Sequence, residues 1–275
     1  MATLKFENWD SVTAPALPSG WVGSTSDLET VASGVTPSSS PNALRVKTAS
    51  AGGTSFTLAF NGSGGADDGS GNSRASVRFR VDTQNAANVI QVFGRITANV
   101  TDYATMTCYH AAFSRAASTV QLFKRTTGTS VQQGSTVTIT GFTDGREYEL
   151  EMETVSTGAI AVRLRDTVTG YYLNSSGAFA AVFTSAISQT DGSPLSGAGY
   201  GGLRMGRGAA ADVAYLDNWR YENTAVASDV AIDDAAPGTA FRESGSALFT
   251  LGYATPGGTG AVIVVFAAAA LGLTL

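Results

Sequence analysis

Cysteine is almost missing from this chain. Cys108 is its single example, so no disulfide can form within one molecule and the fold does not depend on an oxidising compartment. Histidine is as scarce: His110 stands alone, two residues from Cys108, where a strand would put both on one face. One thiol and one imidazole fall short of the four ligands of a structural zinc site, so the pair reads as structural. Charge is sparse as well, with 14% of residues charged, a formal net charge of −5 and no run of four basic residues. That excludes nucleic acid as a partner, because phosphate binding needs clustered Lys and Arg. No long hydrophobic run occurs either. Ala261 to Leu275 is uncharged and apolar, yet shorter than the roughly 20 residues that span a bilayer as a helix, so no membrane partner is expected. The start, Met1-Ala2-Thr3-Leu4-Lys5-Phe6-Glu7, lacks the apolar segment of a signal peptide, and the expectation is synthesis in a host cytoplasm.

What the chain does hold is 43% hydrophobic residues and 32 glycines, which excludes disorder throughout but is poor material for amphipathic helices. Period two recurs instead. Val77, Phe79 and Val81 alternate with Arg78, Arg80 and Asp82; Val137 and Ile139 alternate with threonines. Tyr148, Leu150 and Met152 alternate with four glutamates, and Ile160, Val162 and Leu164 with Ala161, Arg163 and Arg165. This is the pattern of strands with one buried face, and Gly, Asp, Asn and Ser clusters bound each run as turns do. The fold class expected is all-β, an antiparallel sandwich. The pattern closes near Tyr221 and the composition shifts after Asn223. The expected organisation is a domain over 1–223 and a small β-rich segment over 224–275, marginal as a core of its own, for docking or assembly. Ser33 to Pro41 and Asn61 to Ser73 read as loops, the second a polar surface excursion.

Four motifs stand in order: Phe6-Glu7, Leu17-Pro18-Ser19-Gly20-Trp21, Gly145-Arg146-Glu147-Tyr148-Glu149-Leu150 and Tyr215-Leu216-Asp217-Asn218-Trp219. With this spacing, from Thr3 to Glu222, the chain resembles the concanavalin A-like lectin and glucanase superfamily, which includes laminin-G-like and carbohydrate-binding jelly rolls. The resemblance implies two curved antiparallel sheets, first and last strands side by side, a concave face that often binds sugar, and a structural calcium near the termini. In its wealth of Ala, Gly, Ser and Thr, the chain also looks like bacteriophage virion components that decorate a head or tail.

Three functions follow as expectations. The first is a non-enzymatic virion structural protein, located in the virion and partnered by copies of itself and other virion proteins. Val262, Ile263, Val264, Val265 and Phe266 are its candidate assembly residues, because so apolar a strand invites pairing. The second is a carbohydrate-binding adhesion module for a cell-surface glycan, with Tyr103, Tyr109, Tyr171 and Tyr172 as rings that stack on sugar. Trp9, Trp21 and Trp219 are assigned to the core. The third is a glycan hydrolase on the Glu147–Glu153 strand, where Glu147, Glu149, Glu151 and Glu153 share a face. Retaining glycosidases need two carboxyls about 5 to 5.5 Å apart. The resemblance implies Glu-x-Asp-x-Glu, and Glu149 departs from it at the central position. Acids on a solvated face are the alternative, and the expectation is no enzyme. Glu7 and Asp217, on neighbouring first and last strands, are candidate ligands for a structural calcium; pairing with backbone, Lys5 or Arg220 is the alternative.

Overall fold

The computed structural model describes residues 2–32, 42–47, 54–62, 65–67, 69–82, 89–98, 101–209, 213–223, 241–242 and 248–249, with no helix among them. The Ser33 to Pro41 loop and the assembly candidates Val262 to Phe266 lie outside the described residues. The chain divides into two compact units, one over 2–225 and one made of Met1 with 226–275. In the second, Phe241–Arg242 pairs antiparallel with Leu248–Phe249.

In the first unit the strands begin with β1 (Ala2–Glu7), β2 (Trp21–Gly23), β3 (Leu28–Ala32), β4 (Asn42–Val46), β5 (Thr54–Phe60) and β6 (Ser73–Val81). Then come β7 (Val89–Ala98), β8 (Thr107–Ser114), β9 (Thr119–Thr126), β10 (Thr129–Gln132), β11 (Val137–Thr138) and β12 (Glu147–Thr154). The last are β13 (Ala159–Asp166), β14 (Tyr172–Leu173), β15 (Phe179–Ala180), β16 (Ile187–Thr190), β17 (Tyr200–Arg207) and β18 (Ala214–Asn223). Sheet A runs β15-β14-β13-β12-β6-β18-β4-β3, with β1 on β18 and β16 on β13; sheet B runs β10-β9-β8-β7-β17-β5-β2, with β11 on β9. Every pairing is antiparallel, and the expected all-β sandwich is what forms.

Alternation decides which residues fill it. On β12, Tyr148, Leu150 and Met152 turn inward to meet Val77 and Phe79 of β6 and Val162 and Leu164 of β13, while the glutamates turn out. The first and last strands of the unit are neighbours, from Ala2 opposite Asn223 to Glu7 opposite Trp219. Opposite β1 and β4, β18 pairs along its other edge with β6, and its register shifts between Asp217 and Arg220. Asn218 takes φ 47° at that bulge, a left-handed conformation asparagine tolerates. The extra residue sends Leu216 and Trp219 into the core together.

All three tryptophans are buried, as the sequence suggested. Trp21 stacks on Trp9 at 5.9 Å and meets Trp219 edge-on at 4.7 Å, and Trp219 donates its indole N–H to the Gly202 carbonyl at 3.3 Å. The Asn61 to Ser73 segment differs from the surface excursion expected of it. Its Asp67 carboxylate is buried and accepts from Arg95 Nη1 at 2.8 Å, from the Tyr221 hydroxyl at 3.1 Å, and from the Gly69 and Gly199 amides at 2.9 Å each. Arg95 also donates to the carbonyls of Leu195 and Gly197. A polar segment is drawn inside because one acid satisfies four donors there.

Candidate functional site

The outer face of sheet A is an ion ladder. Glu151 and Glu153 of β12 both accept from Arg163 Nη1, and Arg74 of β6 lies 3.7 Å from Glu151, 3.9 Å from Glu153 and 3.8 Å from Glu222. Arg78 stands 3.7 Å from Glu147. The row that suggested a solvated face or a catalytic pair is thus tied across four strands. Two of its members diverge. Burial, then the Glu151 charge, raises Glu149 above the usual carboxylate range, against the pull of Arg78 and Arg165. Burial would raise Glu151 too, but the charges of Arg74 and Arg163 and the Arg163 hydrogen bond hold it below that range. Glu151 therefore contributes stability that is present above its unfolded pKa and is lost as pH falls through its folded value. Glu149 has the opposite sense: its contribution is full below its unfolded pKa and is lost as pH rises through its raised folded value. At pH 7, thermal melts should show Glu151→Gln less stable than wild type by roughly 1–2 kcal/mol, discounted for partial exposure. Glu149→Gln should melt no lower than wild type, and a lower midpoint would contradict this reading.

Glu7 and Asp217 do not come together. Glu7 opposes Trp219 and shares its inward face, where its carboxylate accepts from the Trp9 amide at 3.1 Å and pairs with Lys5 at 3.5 Å. Asp217, on the far side of the bulge, opposes Arg78 on the outer face and accepts from the Asn218 amide at 2.7 Å. The two carboxylates project from opposite faces of sheet A, which corrects the expected calcium pair. Among the described residues no group of three or more His, Cys, Asp or Glu is placed to hold an ion.

The four candidate tyrosines go to separate places. Tyr109 is a core residue at 2% exposure, donating its hydroxyl to Asp191 at 2.6 Å and accepting from the Leu195 amide at 3.0 Å. It cannot stack on a sugar, because β8 puts Tyr109, Ala111 and Phe113 inward and Cys108 and His110 outward. Tyr103 lies over the outer face of sheet B. Tyr172 packs on the ladder face, edge-on to Phe183 at 5.0 Å and near Arg165.

Tyr171 lines a pocket. It is 42% exposed. The pocket, about 470 Å³, opens where β13 turns into β14 and where the β11–β12 connection crosses from sheet B to sheet A. Its wall holds Asp166, Arg146, Thr140, Thr169 and Phe179. Asp166 accepts from the amides of Val168 at 2.9 Å and Thr169 at 3.3 Å, while its other oxygen pairs with Arg146 Nη1 at 2.9 Å. Gly170, at φ 74°, lets the chain reverse so that the Asp166 amide can donate to the Tyr171 carbonyl. An exposed ring beside a charged pair and hydroxyls suits a ligand with one apolar face and many hydroxyls. Sequence reading found Tyr171 but missed Asp166 and Arg146. The Asp166-Thr-Val-Thr-Gly170 turn signal was there, but nothing in it places Arg146 opposite.

The fold defined by these two sheets is the lectin-like jelly roll. Among solved structures similar to it are lectin II from Ulex europaeus (TM-score 0.50, 11% identity, 80% of this chain and 98% of that one) and the legume lectin-like domain from Entamoeba histolytica (0.51, 8%, 81% and 98%). Another is the VIP36 exoplasmic/lumenal domain in a Ca2+/Man2-bound form (0.50, 11%, 84% and 90%). At such identities the likeness is one of fold. No protein-family model and no curated protein matches the chain in sequence.

Proposed function

We propose that this chain is a non-enzymatic carbohydrate-binding module whose ligand enters the pocket at Tyr171. The observation that carries the reading is the exposed Tyr171 ring standing beside the Asp166–Arg146 pair in a cavity of about 470 Å³, within the range of small-ligand sites. The fold is shared with a lectin, a lectin-like domain and a Man2-bound domain, which supports the class of ligand by analogy of fold. The ladder on β12 gives its glutamates a structural use and lends a hydrolase no support. Glycan-array screening of the full chain, followed by calorimetric titration of the best ligand, tests the proposal. Tyr171→Ala should weaken that ligand by roughly tenfold or more, since a stacked ring contributes both area and geometry. Binding untouched by Tyr171→Ala, or no glycan binding, would overturn it.

A virion setting is compatible with this reading: a glycan-binding jelly roll carried on a particle as a homo-oligomer, with Val262 to Phe266 as the assembly candidates. The uncharged run of the sequence is its support. Light scattering on the full chain reads the oligomer directly, and a monomer would count against it.

A further inference from the structure

The outer face of sheet B carries an arrangement that neither the pocket nor the ladder explains. Arg204 of β17 lies opposite Gln91 of β7, Phe93 opposite His110 of β8, and Cys108 opposite Arg125 of β9, so these side chains share that face. Tyr103, from the β7–β8 connection, lies across them, stacked on Phe93 at 5.9 Å. Arg125 donates to the Tyr103 carbonyl from Nε at 3.1 Å and Nη2 at 2.9 Å, and to the Ser130 hydroxyl from Nη1 at 2.8 Å. The guanidinium carbons of Arg125 and Arg204 lie 4.0 and 4.1 Å from the centroid of the Tyr103 ring. The two charges are therefore within twice that distance of each other.

Two like charges this close call for a counter-charge, and neither has one. Among the described residues, no carboxylate lies within ion-pair distance of Arg125 or Arg204, whereas Arg74, Arg78, Arg80, Arg95, Arg115 and Arg163 each lie against an acid. Burial first, against the pull of Tyr103 and then with the help of the Arg125 charge, pushes Arg204 below the usual guanidinium range. Arg204 Nε is buried without a hydrogen-bond partner, and so are Gln91 Oε1 and His110 Nδ1, on side chains of residues 6% and 2% exposed. Polar atoms left so in one place are costly to the fold unless something else satisfies them.

We propose that this face binds an oxyanion, the carboxylate or sulfate of an acidic sugar, held by Arg204 and Arg125 with Tyr103 as its cover. Arg204 supplies a planar fork of free N–H donors, the geometry that matches such groups, and Arg125 adds charge. Gln91 and His110 form the floor. Burial, followed by the charges of Arg125 and Arg204, pushes His110 down to about 3, so at neutral pH the imidazole is uncharged and offers one N–H.

The test is calorimetric titration of the full chain with inorganic sulfate, glucuronate and, as a neutral control, glucose. Saturable binding of either anion is expected, with no binding of glucose at this face. Arg204→Gln should weaken the anion about tenfold or more, as loss of charge-assisted hydrogen bonds does. Tyr171→Ala should leave anion binding unchanged, which separates this site from the pocket. Glucuronate bound above sulfate assigns carboxylated sugars; the reverse assigns sulfated ones. Absence of saturable binding by both anions would overturn the proposal, as would binding unmoved by Arg204→Gln in a protein of wild-type circular dichroism. Arg204 is partly exposed, so this variant keeps the test valid if Arg125→Gln does not fold.

Discussion

Asp67→Asn is expected to lower the melting temperature of the jelly-roll unit by about 6–20 °C. Breaking a buried ion pair costs about 3–5 kcal/mol, and each kcal/mol moves a domain of this size by about 2–4 °C. The size of the effect comes from what Asp67 gathers. Arg95 is 1% exposed and sits at φ 55°, a backbone conformation held in place by its surroundings. Without the carboxylate its charge is left in the interior, with only the carbonyls of Leu195 and Gly197 to receive it. Asparagine keeps one carbonyl oxygen, which can still accept from the Gly69 and Gly199 amides, but its NH2 replaces the oxygen that accepted from Arg95 and from the Tyr221 hydroxyl. Arg95→Met alone should cost a comparable amount by stranding Asp67. The double variant Asp67→Asn with Arg95→Met should be more stable than the two single losses added together, since no charge is then left buried. Additive losses in circular-dichroism melts would mean that the two residues act separately.

Trp219→Ala should be as damaging, at about 3–5 kcal/mol, the usual cost of removing a large aromatic side chain from a core. Trp219 touches Trp21 at 4.7 Å and lies 6.2 Å from Phe60 and 6.4 Å from Tyr221, so its loss opens a space these rings cannot close without leaving their own partners. Gly201 shows how tight the site is: a Cβ there would come within 2.6 Å of the Tyr221 ring and 2.8 Å of Trp219. Urea unfolding should show a midpoint moved sharply down with its slope unchanged. Trp219→Phe, which keeps most of the apolar volume, should lose about half as much or less. Equal losses for the two variants would point away from packing and toward the indole hydrogen bond to Gly202.

Strand alternation made the sandwich legible. Val77, Phe79, Leu150, Met152, Val162 and Leu164 could be placed on the core face from their polar neighbours alone. The same rule failed on β8, where Cys-Tyr-His-Ala-Ala-Phe is buried on both faces and no polar partner marks which side Tyr109 takes. It failed again at Asp217, because the bulge at Asn218 reverses the parity that would otherwise have aligned it with Glu7. The Asp67–Arg95 pair joins positions 28 residues apart through a glycine-rich segment, and local pattern carries no signal for such a contact. The pocket was half visible. Tyr171 stands beside a recognisable turn, but Arg146 reaches Asp166 only because the chain crosses between sheets just before β12.

The pairing of Ala2 with Asn223 has a further consequence in time. A ribosome delivers β1, β4 and β6 long before it delivers β18, the strand that hydrogen-bonds to all three. Until then the nascent chain holds those edges open, and closing sheet A requires joining positions from nearly opposite ends of the unit. Such non-local pairing makes folding slow and cooperative and leaves the unfinished chain prone to misassembly. The unit matures as a whole after its synthesis, with β18 as the strand that locks it.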